Sequence, residues 1–443
     1  RYLLGTNRAS WLIEYNLDFD RVVLPTNWTI SYKSRAPQWI SDSGNIIQRP
    51  EREPVVVEFD VTIFDSNKNK STRSLAFRLM PKNGLIYTIM IWTPASFARS
   101  HRSISTLEVL APTDIKTNAT QVLSPIFSGF ANIRYKGNSS FLGKRKLINI
   151  KTIEPHNLFK NNPNTCSLIG INALSDPLRV WNAFAFDLYK DFPKSNRQMK
   201  NIAPTIIHTE LFINGQYQGV QEFAERVDLN LLNDKSSIVY RHNTASPSTR
   251  FIRQSKPPVR DADFIPLYNS LIDMLENKDK HELPKLLDSM LDVDSIIDYQ
   301  ILYSIMGNGN GRPFRFWNHD ILAYSGVRGK FFYVPWDFDV AMQRSWGIVE
   351  CDLDRLLKEV NPSHQAQVVS RWKSLRATVL SEESLMARFD KILDRHKAYL
   401  PFDFNRWTYS ANQKINYDKL YEKAKYMLHS QLINLDEAFD NYK

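Results

Sequence analysis

The 443 residues contain only two cysteines, Cys166 and Cys351, too few for a disulfide framework or a structural zinc site. Apolar residues never run for the roughly 18 to 20 positions that a bilayer span requires. The stretch from Arg1 to Trp11 lacks a signal-peptide h-region, and an opening Arg1 rather than Met leaves targeting open. Gly-x-x-x-x-Gly-Lys-Ser/Thr, Gly-x-Ser-x-Gly and His-Glu-x-x-His are all missing, which disfavours a P-loop enzyme, a hydrolase of the nucleophile-elbow type and a zinc enzyme. The nine histidines are dispersed, and His208 falls on the polar face of its predicted strand, as a surface residue would. There is no internal repeat and no low-complexity linker.

What is present is an ordinary folding composition, with 43% hydrophobic and 23% charged residues. Single cores stop growing near about 250 to 300 residues, so this length implies more than one domain or lobe. A formal charge of +10 favours anionic partners such as nucleotides, phosphoproteins, polysaccharides or membrane surfaces. The Lys and Arg residues are scattered and no specific nucleic-acid module is readable, so a solvated basic surface is the favoured account of the charge. Four N-glycosylation tripeptides, at Asn27, Asn69, Asn118 and Asn138, tilt localisation slightly towards a secreted or cell-surface protein.

Along the chain, residues 1–124 read as a β-sandwich-like domain. Val57, Phe59, Val61 and Ile63 alternate with Glu58, Asp60 and Thr62, as a strand with one buried face requires. Asp65-Ser66-Asn67 reads as a turn, and Leu85 to Ile91 as a second strand region. From about 125 to 260 strands and helices mix. A helix is expected within Ser175 to Asp191, capped by Ser175 or Asp176, and a hairpin turn at Asn214-Gly215. From about 261 to 443 helices dominate, with stripes at Ile296, Ile297, Ile301, Leu302 and Ile305, at Leu385, Phe389, Ile392 and Leu393, and at Leu420, Ala424, Met427, Leu428 and Leu435. Gly307 to Pro313 must be a loop, because three Gly and a Pro remove helix propensity.

Chemistry concentrates at Trp336-Asp337-Phe338-Asp339, directly after the predicted strand Lys330 to Val334. Carboxylates at i and i+2 beside a strand end can present hard oxygens to Mg²⁺, and they can equally cap a turn. Lys146 shares strand parity with Ile148 and Ile150. If those pack inward the ammonium needs an anion, which a nucleotide phosphate would supply; otherwise Lys146 snorkels to water.

Five blocks in order resemble the CotH (spore-coat protein H) kinase family, an atypical protein-kinase-like group. They are Arg134 to Ser140 with Lys144-Arg145-Lys146, Asn172 to Pro177 with Asn182, Leu211 to Gly215 through Gly219-Val220 to Glu225-Arg226-Val227-Asp228, the loop from Asn308 to Arg315, and Pro335-Trp336-Asp337-Phe338-Asp339. The third and fifth are the specific ones. The resemblance implies an α+β protein in which the β-sandwich-like region is followed, over 125–443, by a protein-kinase-like bilobal domain with a helical C-terminal lobe. It implies Mg²⁺ and ATP as cofactors, Asp337 as metal ligand and catalytic residue, and Asp339 as a supporting ligand. It also assigns Lys146, or Arg145 if the register slips, to the phosphates, and Glu225 to nucleotide binding, where a structural salt bridge is an equal reading.

One block departs from the family pattern of Asn-x-Asp followed five residues later by Asn. Asn310 stands at the expected catalytic Asp and Arg315 at the metal-binding Asn. An amide cannot accept a proton at neutral pH, and general-base help contributes roughly 10² to 10⁴-fold in rate. Arg315 would supply charge near the phosphates. Three functions follow: a kinase transferring the γ-phosphate of ATP to a protein hydroxyl, a pseudokinase or surface adhesin-like binding module, or another nucleotide-dependent transferase. A protein substrate or surface partner is expected in each.

Overall fold

The alternation along β2 (Val55–Phe64) buries Val57, Phe59 and Val61 on one face. β2 lies between β1 (Thr29–Ser34) and β3 (Lys70–Leu79) in an antiparallel three-stranded sheet. The structure, a computed structural model, describes residues 2–94, 96–113, 122–137, 141, 143–154, 156, 158, 167–171, 175–193, 201–233, 236–242, 251–253, 290–307, 321–325, 329–342, 347–349, 357–358, 361–407 and 415–442. The protein is α+β, β-rich towards the N-terminus and helical towards the C-terminus.

The sandwich expected for the N-terminal region is replaced by that small sheet and a closed barrel. Seven strands form the barrel in the order β10-β8-β7-β6-β5-β4-β9. They are β4 (Tyr87–Trp92), β5 (Ser103–Pro112), β6 (Leu123–Lys136), β7 (Leu147–Thr152), β8 (Ser167–Gly170), β9 (Ile206–Ile213) and β10 (Gln216–Glu225). The reason is a long-range pairing: β4 runs parallel to β9, with Tyr87 opposite Thr209 and Ile91 opposite Ile213. Period-two alternation reports which face of a strand is buried and carries no information about which strand lies beside it.

Several local expectations hold. Asn214 and Gly215 take positive φ, 51° and 76°, and make the two-residue turn from β9 to β10. α1 (Trp181–Asp191) starts later than the sequence suggests. Asp176 accepts the backbone N–H groups of Leu178, Val180 and Trp181 at 3.0, 2.7 and 2.8 Å, and Arg179 adopts φ 56°. The carboxylate thus organises the turn before the helix and, from five positions upstream, also holds the N–H of the helix's first residue. After β10 come one helical turn, α2 (Leu229–Leu232), and then β11 (Ile238–His242) and β12 (Phe251–Arg253).

α3 (Val293–Met306) is buried on nearly every side, as an apolar helix inside a core must be. It ends at Gly307, whose φ of 51° is the left-handed cap that glycine supplies cheaply. β13 (Ile321–Ser325) and β14 (Lys330–Val334) complete a four-stranded sheet ordered β12-β11-β13-β14. Further α-helices among the described residues are α4 (His364–Arg376), α5 (Glu382–Leu393), α6 (Leu400–Trp407) and α7 (Tyr417–Asp440). Leu385, Phe389, Ile392 and Leu393 face inward as their spacing predicts. No described helix is long and apolar enough to cross a membrane.

Two compact units share the chain. One comprises Arg1–Glu154, Ile207–Gln221 and Asp394–Lys414, the other Pro155–Ile206, Glu222–Leu393 and Ile415–Lys443. Within the first, the fully buried guanidinium of Arg78 donates to both oxygens of Glu210 at 2.6 and 2.7 Å. His208, expected at the surface, is also buried in this unit and stacks on His396 with ring centroids 3.8 Å apart. A single polar residue does not make a strand face polar when a later segment packs on it.

Candidate functional site

β14 delivers the chain into Pro335-Trp336-Asp337-Phe338-Asp339 between two helices of the second unit. Tyr333 stacks on Tyr299 of α3, with centroids 4.4 Å apart. Trp336 and Phe338 both pack on Phe186 of α1 at 6.2 Å, and Phe338 also meets Tyr303 of α3 at 5.2 Å. The aromatic residues of the motif are therefore its anchors, and they fix where the two carboxylates can be. Asp337 is half-buried in the left-handed region at φ 68°, a conformation that Asp tolerates better than bulky residues and that costs energy unless the surroundings enforce it.

The surroundings do enforce it. Asn182, wholly buried on α1, accepts the backbone N–H of Phe338 at 2.7 Å and donates its amide to Glu222 of β10 at 3.3 Å. Asp339 is buried, and its carboxyl is pushed up to about 8, first by loss of water and then by Asp337, with further contributions from Asp176 and Glu222. The backbone N–H of Ser175 works in the opposite direction. Asp176 is pushed up to about 6, chiefly by burial and then by Glu222, against the N–H groups of Trp181 and Val180 and the charge of Arg179. Four carboxylates thus act on one another in one buried region.

Among the described residues no group of three or more His, Cys, Asp or Glu is arranged to hold a metal ion by itself. Mg²⁺ does not ask for that. It keeps several waters and is bound through one or two carboxylates plus substrate phosphates. The hard, oxygen-only donors Asp337 and Asp339 fit such an ion, and a divalent cation would offset the repulsion that raises Asp339. Glu225, expected at a nucleotide, is buried at the end of β10, where its Oε2 accepts the backbone N–H of Thr205 at 2.7 Å.

The basic candidates lie in the first unit. Arg145 is buried, and its Nη1 donates to both oxygens of Asp403 on α6 at 3.0 Å each. Asp403 also accepts the backbone N–H of Val220 at 2.8 Å. Lys146 is half-buried just before β7, its Nζ donating to the carbonyl of Phe141 and lying 4.5 Å from the centre of that ring. Ile148 and Ile150 do pack inward. Asn310 and Arg315 lie outside the described residues, as do Cys166 and Cys351.

Sequence reasoning overlooked Glu222 and Asp403. Glu222 had a signal, a carboxylate three residues before Glu225 inside the apolar run around Val220, Phe223 and Ala224. Asp403 had none, because its partners Arg145 and Val220 are remote in sequence. A family model described as CotH kinase protein matches residues 133–429. Among curated proteins nothing matches the chain.

Proposed function

This chain belongs to the CotH kinase protein family, and we propose that it is an atypical protein kinase, on a protein-kinase-like bilobal scaffold, that transfers the γ-phosphate of Mg-ATP to a protein hydroxyl. The observation that carries the reading is the carboxylate pair Asp337 and Asp339, held by buried aromatic anchors and by the Asn182 bond to the Phe338 N–H.

In this reading Asp337 is the principal metal ligand and Asp339 supports it. Bound Mg²⁺ would neutralise phosphate charge, which is the main requirement of phosphoryl transfer. Asn182 keeps the ligand loop in register from α1. Lys146 supplies positive charge to the phosphates, and Arg145, already held by Asp403, positions the start of β7. Glu225 fixes the end of β10 through Thr205.

A second reading, a pseudokinase or surface-binding module, is favoured by one feature of the sequence: Asn310 and Arg315 stand where the family carries Asp and Asn. Titration calorimetry with Mg-ATP, followed by incubation with labelled ATP and casein, separates the two. Binding with label transfer, both lost in Asp337→Ala, supports the kinase, and Asn310→Asp should then raise the rate. Binding without transfer identifies the pseudokinase. Transfer of a whole nucleotide instead of phosphate would make the protein a different nucleotide-dependent transferase.

A further inference from the structure

Two N-glycosylation tripeptides fall on described residues, Asn27-Trp28-Thr29 and Asn69-Lys70-Ser71; those at Asn118 and Asn138 lie outside them. The sheet ordered β1-β2-β3 has β1 and β3 as its edges. Each tripeptide opens one edge, since Thr29 is the first residue of β1 and Lys70 the first of β3. Thr29 pairs with Phe64 of β2, and Phe64 pairs with Lys70. Both asparagines therefore stand at the same end of the sheet, on either side of β2.

That end is the open one. Lys70 to Ser74 are exposed, whereas Phe77 to Leu79 are buried. At the buried end the chain near Ser10 and Ile13 hydrogen-bonds to both backbone groups of Arg78, at 2.9 and 3.1 Å. At the open end Trp28 is 39% and Phe64 37% exposed. Uncovered strand edges beside exposed aromatic residues, here Trp28 just before β1 and Phe64 at the end of β2, are a template for pairing with another chain.

The acceptors are also accessible. Asn27, Thr29, Asn69 and Ser71 are all exposed. Asn27, at φ 67°, lies in a turn closed by the Trp28 N–H on the Pro25 carbonyl at 3.1 Å. Asn69 ends the β2–β3 turn, where Asp65 accepts its backbone N–H at 2.8 Å and its Nδ2 at 2.9 Å. Turns at a sheet end are the part of a fold that a modifying enzyme reaches most easily.

We propose that Asn27 and Asn69 both carry N-linked glycans, and that the two glycans cover the open edges of β1 and β3 together with Trp28 and Phe64. The donor is an oligosaccharide on a polyprenyl diphosphate. The Asn Nδ2 forms a bond to C1 of the first sugar, the C1–O bond to the diphosphate breaks, the diphosphate leaves with its polyprenyl carrier, and the amide loses one proton. One N–H remains on the nitrogen, which lets Asn69 keep its hydrogen bond to Asp65.

Protein purified from the cells that produce it is treated with a glycan-releasing amidase in ¹⁸O water, which converts each formerly glycosylated Asn into labelled Asp for peptide mass mapping. Label at both Asn27 and Asn69 is expected; either position unlabelled in most molecules overturns the assignment. The covering role is read on Thr29→Ala combined with Ser71→Ala, made in the same cells. These changes remove the acceptor hydroxyls, with the exposed Thr29 methyl, and leave both asparagines and the Asn69 bond to Asp65 in place. The double variant should keep the wild-type circular dichroism and show a several-fold larger aggregated fraction by gel filtration, while Thr29→Ser retains both glycans and behaves as wild type. A double variant that is unglycosylated and as monomeric as wild type overturns the covering role.

Discussion

The side-chain oxygen of Asn182 holds the backbone N–H of Phe338 at 2.7 Å, tying α1 to the loop that carries Asp337 and Asp339. Asn182→Ala leaves that buried N–H without its partner and removes the donor to Glu222. Losses of this kind cost about 1–3 kcal/mol. The expected result is a lower melting temperature together with a loss of most of the extra stabilisation that Mg-ATP gives the wild type. An Asn182→Ala protein whose Mg-ATP stabilisation matches wild type would show that the loop holds its position without α1.

Asp403 serves Arg145 and the Val220 N–H at once, with both charged side chains about equally buried. Asp403→Ala strands the Arg145 guanidinium in the interior, and breaking a buried pair in this way costs about 3–5 kcal/mol. The double variant Arg145→Met, Asp403→Leu should lose less than Asp403→Ala alone, because no uncompensated charge remains. Urea unfolding of the singles and the double gives the coupling directly.

Gly219 tests the same contact from the other side. Its φ is 84°, and a Cβ built there would stand 2.1 Å from Asp403 Oδ1 and 2.8 Å from Trp407 Nε1. Gly219→Ala therefore combines backbone strain with displacement of α6, and a loss of more than about 1 kcal/mol is expected. The adjacent turn offers the control: nothing lies within 4 Å of a Cβ on Gly215, so Gly215→Ala should show strain alone and a smaller loss in the same unfolding experiment.

How much of this was legible beforehand depended on sequence distance. The Asn214-Gly215 turn, the α3 stop at Gly307 and the strand leading into Pro335-Trp336-Asp337 are set by residues within a few positions of each other, and local propensity reports them. The parallel pairing of β4 with β9 joins Tyr87 to Thr209, and alternation is blind to such a partner, which is why a barrel read as a sandwich. At the site, Asp337 and Asp339 were visible as a motif, and Asp337 is the largest neighbouring charge on Asp339, but the burial that raises Asp339 first and the further charges of Asp176 and Glu222 come from remote parts of the chain. Lys146 looked as though it continued the parity of β7, yet the strand begins at Leu147, and the residue before it turns to Phe141.

The Asp339 carboxyl gives the site a pH signature with a definite sign. Its value rises from 3.8 to about 8 in the folded protein, through burial first and Asp337 second. A group raised on folding binds its proton more tightly in the native state, so its contribution to stability is complete at low pH and is lost as pH climbs through the folded value. Asp339→Asn removes a charge that the fold resists carrying. In metal-free buffer the variant should therefore melt above wild type near pH 8.5, with the gap closing towards about pH 5. Mg-ATP should reverse the order, because the ionised Asp339 of the wild type gains a cation that the amide cannot hold as well. Scanning calorimetry of both proteins at the two pH values, with and without Mg-ATP, reads all of this. A gap that does not change with pH would show that Asp339 is already ionised without metal.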